Sequence, residues 1–200
     1  MIEKVTMLIS RRSNLQEILA IEHPYAGYQL PSGTVEDNEL AIDSAIRELK
    51  EETGISDIVE IYNLASLSVN ISPKTMIVKS TPVYSRPEVN SNSYAKLRKG
   101  LTVEKSTIED NNFSMVKYSE YDDLINPSYI TYEILGWVPL NSICDSYKRT
   151  FYRVIIDDNL DISSENFTDG HKFKNIFINI NEKDKLIKDH EEYVNLIFKD

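Results

Sequence analysis

The chain has 200 residues, of which 41% are hydrophobic and 27% are charged, the usual composition of a globular protein. Its net charge of -10 argues against a surface that binds duplex nucleic acid or an anionic membrane. The single Cys144 allows no internal disulfide, and no apolar run approaches the roughly 18 residues of a membrane span. We expect a cytoplasmic protein of one large or two small domains, without a signal peptide.

The N-terminal segment predicts two strands. Val5, Met7 and Ile9 alternate with their neighbours, which is typical of a half-buried strand. A polar turn at residues 11–14 and an apolar run at residues 18–21 predict a hairpin. Residues 23–27 interrupt the second strand, and His23 there is either a substrate contact or a solvated loop side chain.

A helix is predicted over residues 40–53, because apolar residues recur there at helical spacing. They are Ile42, Ala45, Ile46 and Leu49. Gly54 follows, where glycine most easily forms a left-handed C-terminal cap.

Three carboxylates lie in a narrow arc of this helix. Glu48, Glu51 and Glu52 repel one another at these spacings, and of the basic residues nearby only Arg47 points toward them. A hard cation such as Mg²⁺ would relieve this repulsion, because it prefers carboxylate oxygens and keeps sites for water and phosphate. A glutamate-rich surface helix is the simpler alternative.

The spacing of the whole stretch from Gly33 to Ile55 favours a cation site over a glutamate-rich surface helix. It reads Gly33, five residues, Glu39, seven residues, and then Arg47-Glu48-Leu49-Lys50-Glu51-Glu52-Thr53-Gly54-Ile55. This pattern resembles the Nudix box, the signature of hydrolases that cleave nucleoside diphosphates linked to another group, and residues 28–36 resemble the usual approach to it. The pattern departs at Ser32 and Asn38, where glycine is common.

The resemblance implies a role for each fixed residue. Glu48, Glu51 and Glu52 would bind Mg²⁺ or Mn²⁺, Arg47 would orient them through a bidentate contact, and either Glu48 or Glu52 would be the catalytic base. Glu39 would support the metal site from further out. Gly33 would give the loop its tight geometry, and Gly54 would end the helix.

The middle of the chain predicts short strands without helical periodicity, which favours a small all-β barrel. Apolar or alternating runs lie at residues 76–83, 97–103, 113–118 and 134–140, with a turn at Gly100. Their order resembles bacterial Src-homology-3-like domains. Trp137 is either a ligand-binding aromatic or part of the barrel core.

The last segment resumes the earlier pattern. Residues 149–156 alternate, residues 173–180 predict another strand, and residues 182–198 predict an amphipathic helix on which His190 is a packed core residue. A Nudix domain needs this ending, so the middle reads as an insertion. We predict an α/β fold, a Nudix α/β/α sandwich with a mixed sheet formed by residues 1–72 and 146–200, interrupted by a Src-homology-3-like barrel at residues 73–145.

The favoured function is therefore Mg²⁺- or Mn²⁺-dependent hydrolysis of a small nucleotide-type substrate, without a duplex nucleic acid or membrane partner. The alternative is a Nudix-fold nucleotide or metabolite sensor that uses the barrel, whose ligand is unknown, for interactions. A Nudix-fold isomerase is a weaker third hypothesis, because that group departs from the full box. Homodimer formation is left open.

Overall fold

The computed structural model describes residues 2–23, 27–123, 126–168 and 171–198. The strands are β1 (Glu3–Arg11), β2 (Glu17–His23), β3 (Gly27–Gln29), β4 (Ser32–Thr34), β5 (Glu60–Asn70), β6 (Lys74–Ile77), β7 (Thr81–Tyr84), β8 (Ser93–Leu97), β9 (Thr102–Asp110), β10 (Phe113–Tyr121), β11 (Ile130–Pro139), β12 (Ile143–Cys144), β13 (Ser146–Ile156), β14 (Glu165–Thr168) and β15 (His171–Asn179). The helices are α1 (Ala41–Thr53) and α2 (Lys188–Ile197), with short 3₁₀ helices at Leu140–Ser142 and Ile180–Lys185.

The chain divides into two compact units. One comprises Met1–Ile2 and Ser68–Lys148, and the other comprises Glu3–Leu67 and Arg149–Asp200. Residues 68–148 contain nine basic and nine acidic residues, so the whole net charge of -10 belongs to the second unit. The predicted boundaries at residues 73 and 145 differ from these limits by a few residues, and the predicted domain division stays a prediction.

The unit that contains α1 is built on two four-stranded sheets. Their strand orders are β4-β1-β13-β5 and β14-β15-β2-β3. The strands that lead into and out of the middle segment, β5 and β13, are therefore neighbours in one sheet. The insertion hypothesis requires this arrangement.

The predicted N-terminal hairpin is wrong, because β1 and β2 belong to different sheets. The predicted half-buried character of β1 is wrong as well. Val5, Met7 and Ile9 enter one hydrophobic cluster, while Leu8 enters another on the opposite face. A strand with cores on both faces cannot show the alternation of a half-exposed one.

The two clusters lie on opposite faces of β13, as its alternation predicts. Tyr152 and Val154 pack in the cluster that includes Ala45 and Leu49 of α1. Phe151 packs in the cluster that includes Val194 of α2. Each helix thus covers its own core.

The closing helix begins at Lys188 rather than at residue 182. Asn179 caps the preceding 3₁₀ helix with a reciprocal capping box to Glu182. Leu186, which follows that helix, is extended, so the two helical segments are separate. His190 is buried, and its Nδ1 accepts a hydrogen bond of 2.8 Å from the amide of Leu30. Burial, and then the charge of Arg149, lower the pKa of His190 from 6.5 to about 3.

The other unit contains a seven-stranded sheet of order β12-β6-β9-β10-β11-β7-β8. The predicted strand at residues 76–83 is two strands, β6 and β7, while the turn at Gly100 is present with a φ of 87°. Trp137 is half-buried and lies opposite Met115 of β10. The Src-homology-3-like assignment stays a prediction.

Within the described parts of the chain, no helix is long and apolar enough to cross a membrane.

Candidate active site

Helix α1 supplies most of the predicted site residues. It ends as predicted, because Gly54 has a φ of 75° and its amide donates to the carbonyl of Lys50 at 3.0 Å. Ala45 and Leu49 are buried, but the predicted stripe is only partly correct, since Ile42 and Ile46 are 36% and 40% exposed. The buried face instead includes Ser44 and Thr53, which form hydrogen bonds.

The guanidinium of Arg47 gathers three carboxylates. Its Nε and Nη2 donate to the two oxygens of Glu39 at 2.9 and 3.1 Å, which is a bidentate contact. Its Nη1 donates to Glu48 Oε1 at 2.8 Å and to Glu51 Oε2 at 3.1 Å. The bidentate partner is therefore Glu39, whereas the two helix glutamates share a single nitrogen.

Two further contacts fix the guanidinium between α1 and the sheet. Arg47 Nη2 donates to the carbonyl of Thr34 in β4 and to the hydroxyl of Ser44, both at 3.2 Å. The first of these bonds holds the arginine against the strand that carries Gly33. Arg47 thus links the sheet, the loop that carries Glu39 and the acidic face of the helix.

Glu39 and Glu48 differ in electrostatic environment. The hydrogen bond from Arg47 lowers the pKa of Glu39 to about 2, so this carboxylate is ionised throughout the physiological range. Only 14% of the Glu48 side chain is exposed, and this burial raises the pKa of Glu48. The hydrogen bond and the charge of Arg47 oppose the shift. A cation beside Glu48 would offset the cost of keeping that charge out of water.

The remaining glutamate of the cluster is held by a backbone amide. The N–H of Ser32, at the start of β4, donates to Glu52 Oε2 at 2.8 Å. Sequence reasoning named Ser32 only as a departure from the usual glycine. Because the contact uses the backbone, the identity of the side chain gave no signal.

Gly33 has a different role from the predicted one. It lies in strand β4, and the structure shows why a side chain is excluded: a Cβ there would lie 1.9 Å from Cδ and 2.0 Å from Oε1 of Glu48. The requirement is close approach rather than a tight turn. Asn38, the other departure, has a φ of 68°, a left-handed conformation that asparagine tolerates better than most residues.

The structure thus brings Gly33, Glu39, Arg47, Glu48 and Glu51 together and places Glu52 against the same strand. Gly54 is the C-terminal cap of α1. Among the residues that the structure describes, no three His, Cys, Asp or Glu side chains converge in an arrangement that could hold a metal ion. The chemistry of Glu48, Glu51 and Glu52 nevertheless fits a hard divalent cation, because these residues offer carboxylate oxygens and the side chain of Glu48 is largely buried.

Two residues that touch the end of α1 were missed by the sequence analysis. Asn166 in β14 and Asn175 in β15 donate side-chain hydrogen bonds to carbonyls of its last turn. They are more than 100 residues away in sequence and follow no motif, so no local signal could have found them.

His23 ends β2 and packs against Phe173, with ring centroids 5.3 Å apart. Pro24, Tyr25 and Ala26 of the predicted strand break lie outside the described residues.

Comparison with known proteins gives the following matches. Residues 3–143 match the family model described as NUDIX domain, whereas no curated protein matches the chain. The chain is 9% identical to the NUDIX domain of Shewanella oneidensis NrtR complexed with ADP ribose, covering 96% of this chain and 83% of that chain at a TM-score of 0.47. It is 10% identical to the E. coli dihydroneopterin triphosphate pyrophosphohydrolase, with coverages of 97% and 92% and a TM-score of 0.44. A C. elegans Ap4A hydrolase is 13% identical, with coverages of 98% and 93% and a TM-score of 0.44.

The matched range contains the whole acidic site, from Gly33 to Gly54, and covers well over half of the chain. The family assignment and the geometry around Arg47 agree on the same stretch of sequence. The chain therefore belongs to the NUDIX domain family.

Proposed function

We propose that this chain hydrolyses the diphosphate linkage of a nucleoside diphosphate joined to another group, and that it depends on Mg²⁺ or Mn²⁺. The observation that carries the proposal is the gathering of Glu39, Glu48 and Glu51 around Arg47, directly beside Gly33. This concentration of carboxylates has a clear use at a cation–diphosphate site. A binding protein without catalysis would have no need for it.

Glu48, Glu51 and Glu52 are the proposed metal ligands. When bound, the cation would offset charge on the diphosphate oxygens and lower the pKa of an attacking water. Nudix enzymes generally use divalent metal ions, and the negative charge of this unit also favours their approach. Arg47 orients the ligand set while anchored to Glu39 by two hydrogen bonds.

The catalytic base is either Glu48 or Glu52, and kinetics can distinguish them. Removing the base should abolish the fall of kcat on the acidic side of the pH–rate profile. Removing a carboxylate that acts only as a ligand should lower kcat without changing the shape of the profile. Glu48→Gln and Glu52→Gln, compared over the same pH range, give the answer.

A turnover screen tests the proposal as a whole. Purified protein is incubated with nucleoside triphosphates, nucleotide sugars, dinucleoside polyphosphates, NADH and ADP-ribose, each with Mg²⁺, with Mn²⁺ and with a chelator. We expect metal-dependent hydrolysis of at least one class, which Glu51→Gln should largely abolish. Asp43→Asn removes an exposed carboxylate from the first turn of the same helix and is the matched control.

Binding of a nucleotide without turnover, under every metal condition, would instead favour the sensor hypothesis.

We also propose that residues 73–145 form an inserted domain, resembling Src-homology-3-like barrels, between the two parts of the Nudix domain. Its support is the adjacency of β5 and β13, the strands that flank it. The proposed setting is the cytoplasm, with a small nucleotide-type substrate and a separate ligand for the inserted domain.

A further inference from the structure

The C-terminal end of α1 is held by more than its glycine cap. An α-helix leaves its last four carbonyls without partners inside the helix. In α1 the carbonyl of Lys50 accepts from Gly54, while the hydroxyl of Thr53 donates to Leu49 and accepts from the amide of Ile55. The carbonyls of Glu51, Glu52 and Thr53 remain for donors from outside the helix or for water.

Two asparagines donate to the carbonyls of Glu51 and Thr53. Asn166 Nδ2 donates to the carbonyl of Glu51 at 2.6 Å. Asn175 Nδ2 donates to the carbonyl of Thr53 and to that of Ser163, both at 2.9 Å. Glu51 is therefore fixed at its backbone by one asparagine and at its side chain by Arg47.

The strand register explains why both amides reach the helix. Asn166 of β14 is paired with Phe173 of β15, and Asn175 lies two residues beyond Phe173. Residues paired across a sheet and residues two apart on one strand share a face. Both side chains therefore project from the same face of the β14–β15 hairpin. Each donates a hydrogen bond to the last turn of α1.

The chemical identity of these donors matters. Helix C-termini commonly attract lysine, arginine or histidine, whose positive charge complements the helix dipole. Such a cation at Asn166 would stand beside the last turn that carries Glu51 and Glu52, and it could pair with their carboxylates. An asparagine amide satisfies the carbonyl and carries no net charge.

We propose that Asn166 and Asn175 are positioning residues for the cation site. They fix the last turn of α1, and with it the positions of Glu51 and Glu52, without supplying a charge that competes with the metal ion. This inference rests on the proposed function, because it assumes that those two glutamates bind the cation.

Mn²⁺ binding, measured from the electron paramagnetic resonance of the free ion, tests the inference apart from turnover. Asn166→Ala and Asn175→Ala should each raise the Mn²⁺ dissociation constant about 10-fold. Asn166→Lys restores a donor but adds a charge, and it should weaken binding at least as much as Asn166→Ala. Without metal, hydrogen exchange at Gly54 and Ile55 should accelerate in both alanine variants.

Asn179→Ala is the matched control. This asparagine lies on β15 too, but it caps the Ile180–Lys185 helix. Its loss should lower the thermal midpoint without changing Mn²⁺ affinity or exchange at Gly54. If Asn175→Ala does not fold, Asn166→Ala decides alone, because Asn166 bonds from a more exposed position.

The outcomes separate the two proposals. If the wild-type protein binds Mn²⁺ and the Asn166 and Asn175 variants bind it as tightly as Asn179→Ala does, only the positioning inference is overturned. Tight binding by Asn166→Lys would overturn the argument from charge. If the wild-type protein binds no Mn²⁺, the proposed function fails, and this inference fails with it.

Discussion

The contact between Gly33 and Glu48 yields the sharpest test of the site. In Gly33→Ala the new Cβ would lie 1.9 Å from Cδ of Glu48. Two non-bonded carbon atoms pack at roughly 3.5 Å, so the carboxyl group must retreat by about 1.6 Å. The backbone of Gly33 is not in the left-handed region, so alanine itself adds no strain there.

The retreat of Glu48 should affect catalysis more than folding. A displacement of about 1 Å in a catalytic constellation can cost 10²-fold in rate, and we expect at least that loss in kcat/KM for Gly33→Ala. This corresponds to about 2.7 kcal/mol of transition-state stabilisation. The side chain of Glu48 is flexible, so the thermal midpoint should fall much less than the rate suggests.

The assay is metal-dependent hydrolysis of whichever substrate the screen identifies, with thermal unfolding in parallel. The double variant Gly33→Ala/Glu48→Ala supplies the control, because the clash requires the longer side chain. In the Glu48→Ala background, Gly33→Ala should have little further effect on stability or on Mn²⁺ affinity. Wild-type turnover in Gly33→Ala would refute the reasoning, since Glu48 could then act from a displaced position.

Four further predictions concern other parts of the chain. Glu51→Gln should lower kcat by about 10²–10³ while thermal stability stays near wild type, since that side chain is 51% exposed; wild-type turnover would contradict its assignment as a ligand. Arg47→Lys should weaken Mn²⁺ binding and turnover, because an ammonium cannot hold Glu39 at two points, and full activity would show that charge alone suffices. Because the pKa of His190 is about 3 when folded and about 6.5 when unfolded, this residue should lower the free energy of unfolding by about 2 kcal/mol between pH 7 and pH 5. Chemical denaturation of the wild-type protein and of His190→Gln at both pH values measures that contribution, and an equal loss of stability in both proteins would contradict it. Replacing residues 72–145 by a short Gly/Ser linker should leave a folded protein with metal-dependent turnover on a small substrate, and a folded but inactive product would count against the proposed domain division.

Local sequence was sufficient for the helix and its acidic face. Helical spacing brings Glu48 near Glu51 and Glu52, and Glu51 near Arg47, so an acidic face beside Arg47 was predictable from the sequence. Gly54 was equally predictable, since the need for a left-handed residue is local. These features depend on no distant part of the chain.

Features that depend on tertiary packing were harder to predict. Periodicity assigned Ile42 and Ile46 to the buried stripe, yet Ser44 and Thr53 are buried instead because each forms a hydrogen bond there. The partner of a strand is likewise invisible to local pattern, so β2 was expected beside β1 and lies in another sheet. In the same way, the closing helix was predicted too long because the cap at Asn179 begins a separate 3₁₀ segment.

The many contacts of Arg47 have a consequence for the protein without metal. Without any cation, each like-charge pair among these glutamates would destabilise the helix by about 0.2–0.5 kcal/mol. Here a residue of the same helix acts as an internal counter-ion, already bonded to Glu39, Glu48 and Glu51. Under the proposed function, a metal ion would bind to carboxylates that Arg47 already holds together, so no part of the helix would have to fold when the ion binds. Removal of the metal by a chelator should accordingly be reversible, with activity returning as fast as the ion can rebind.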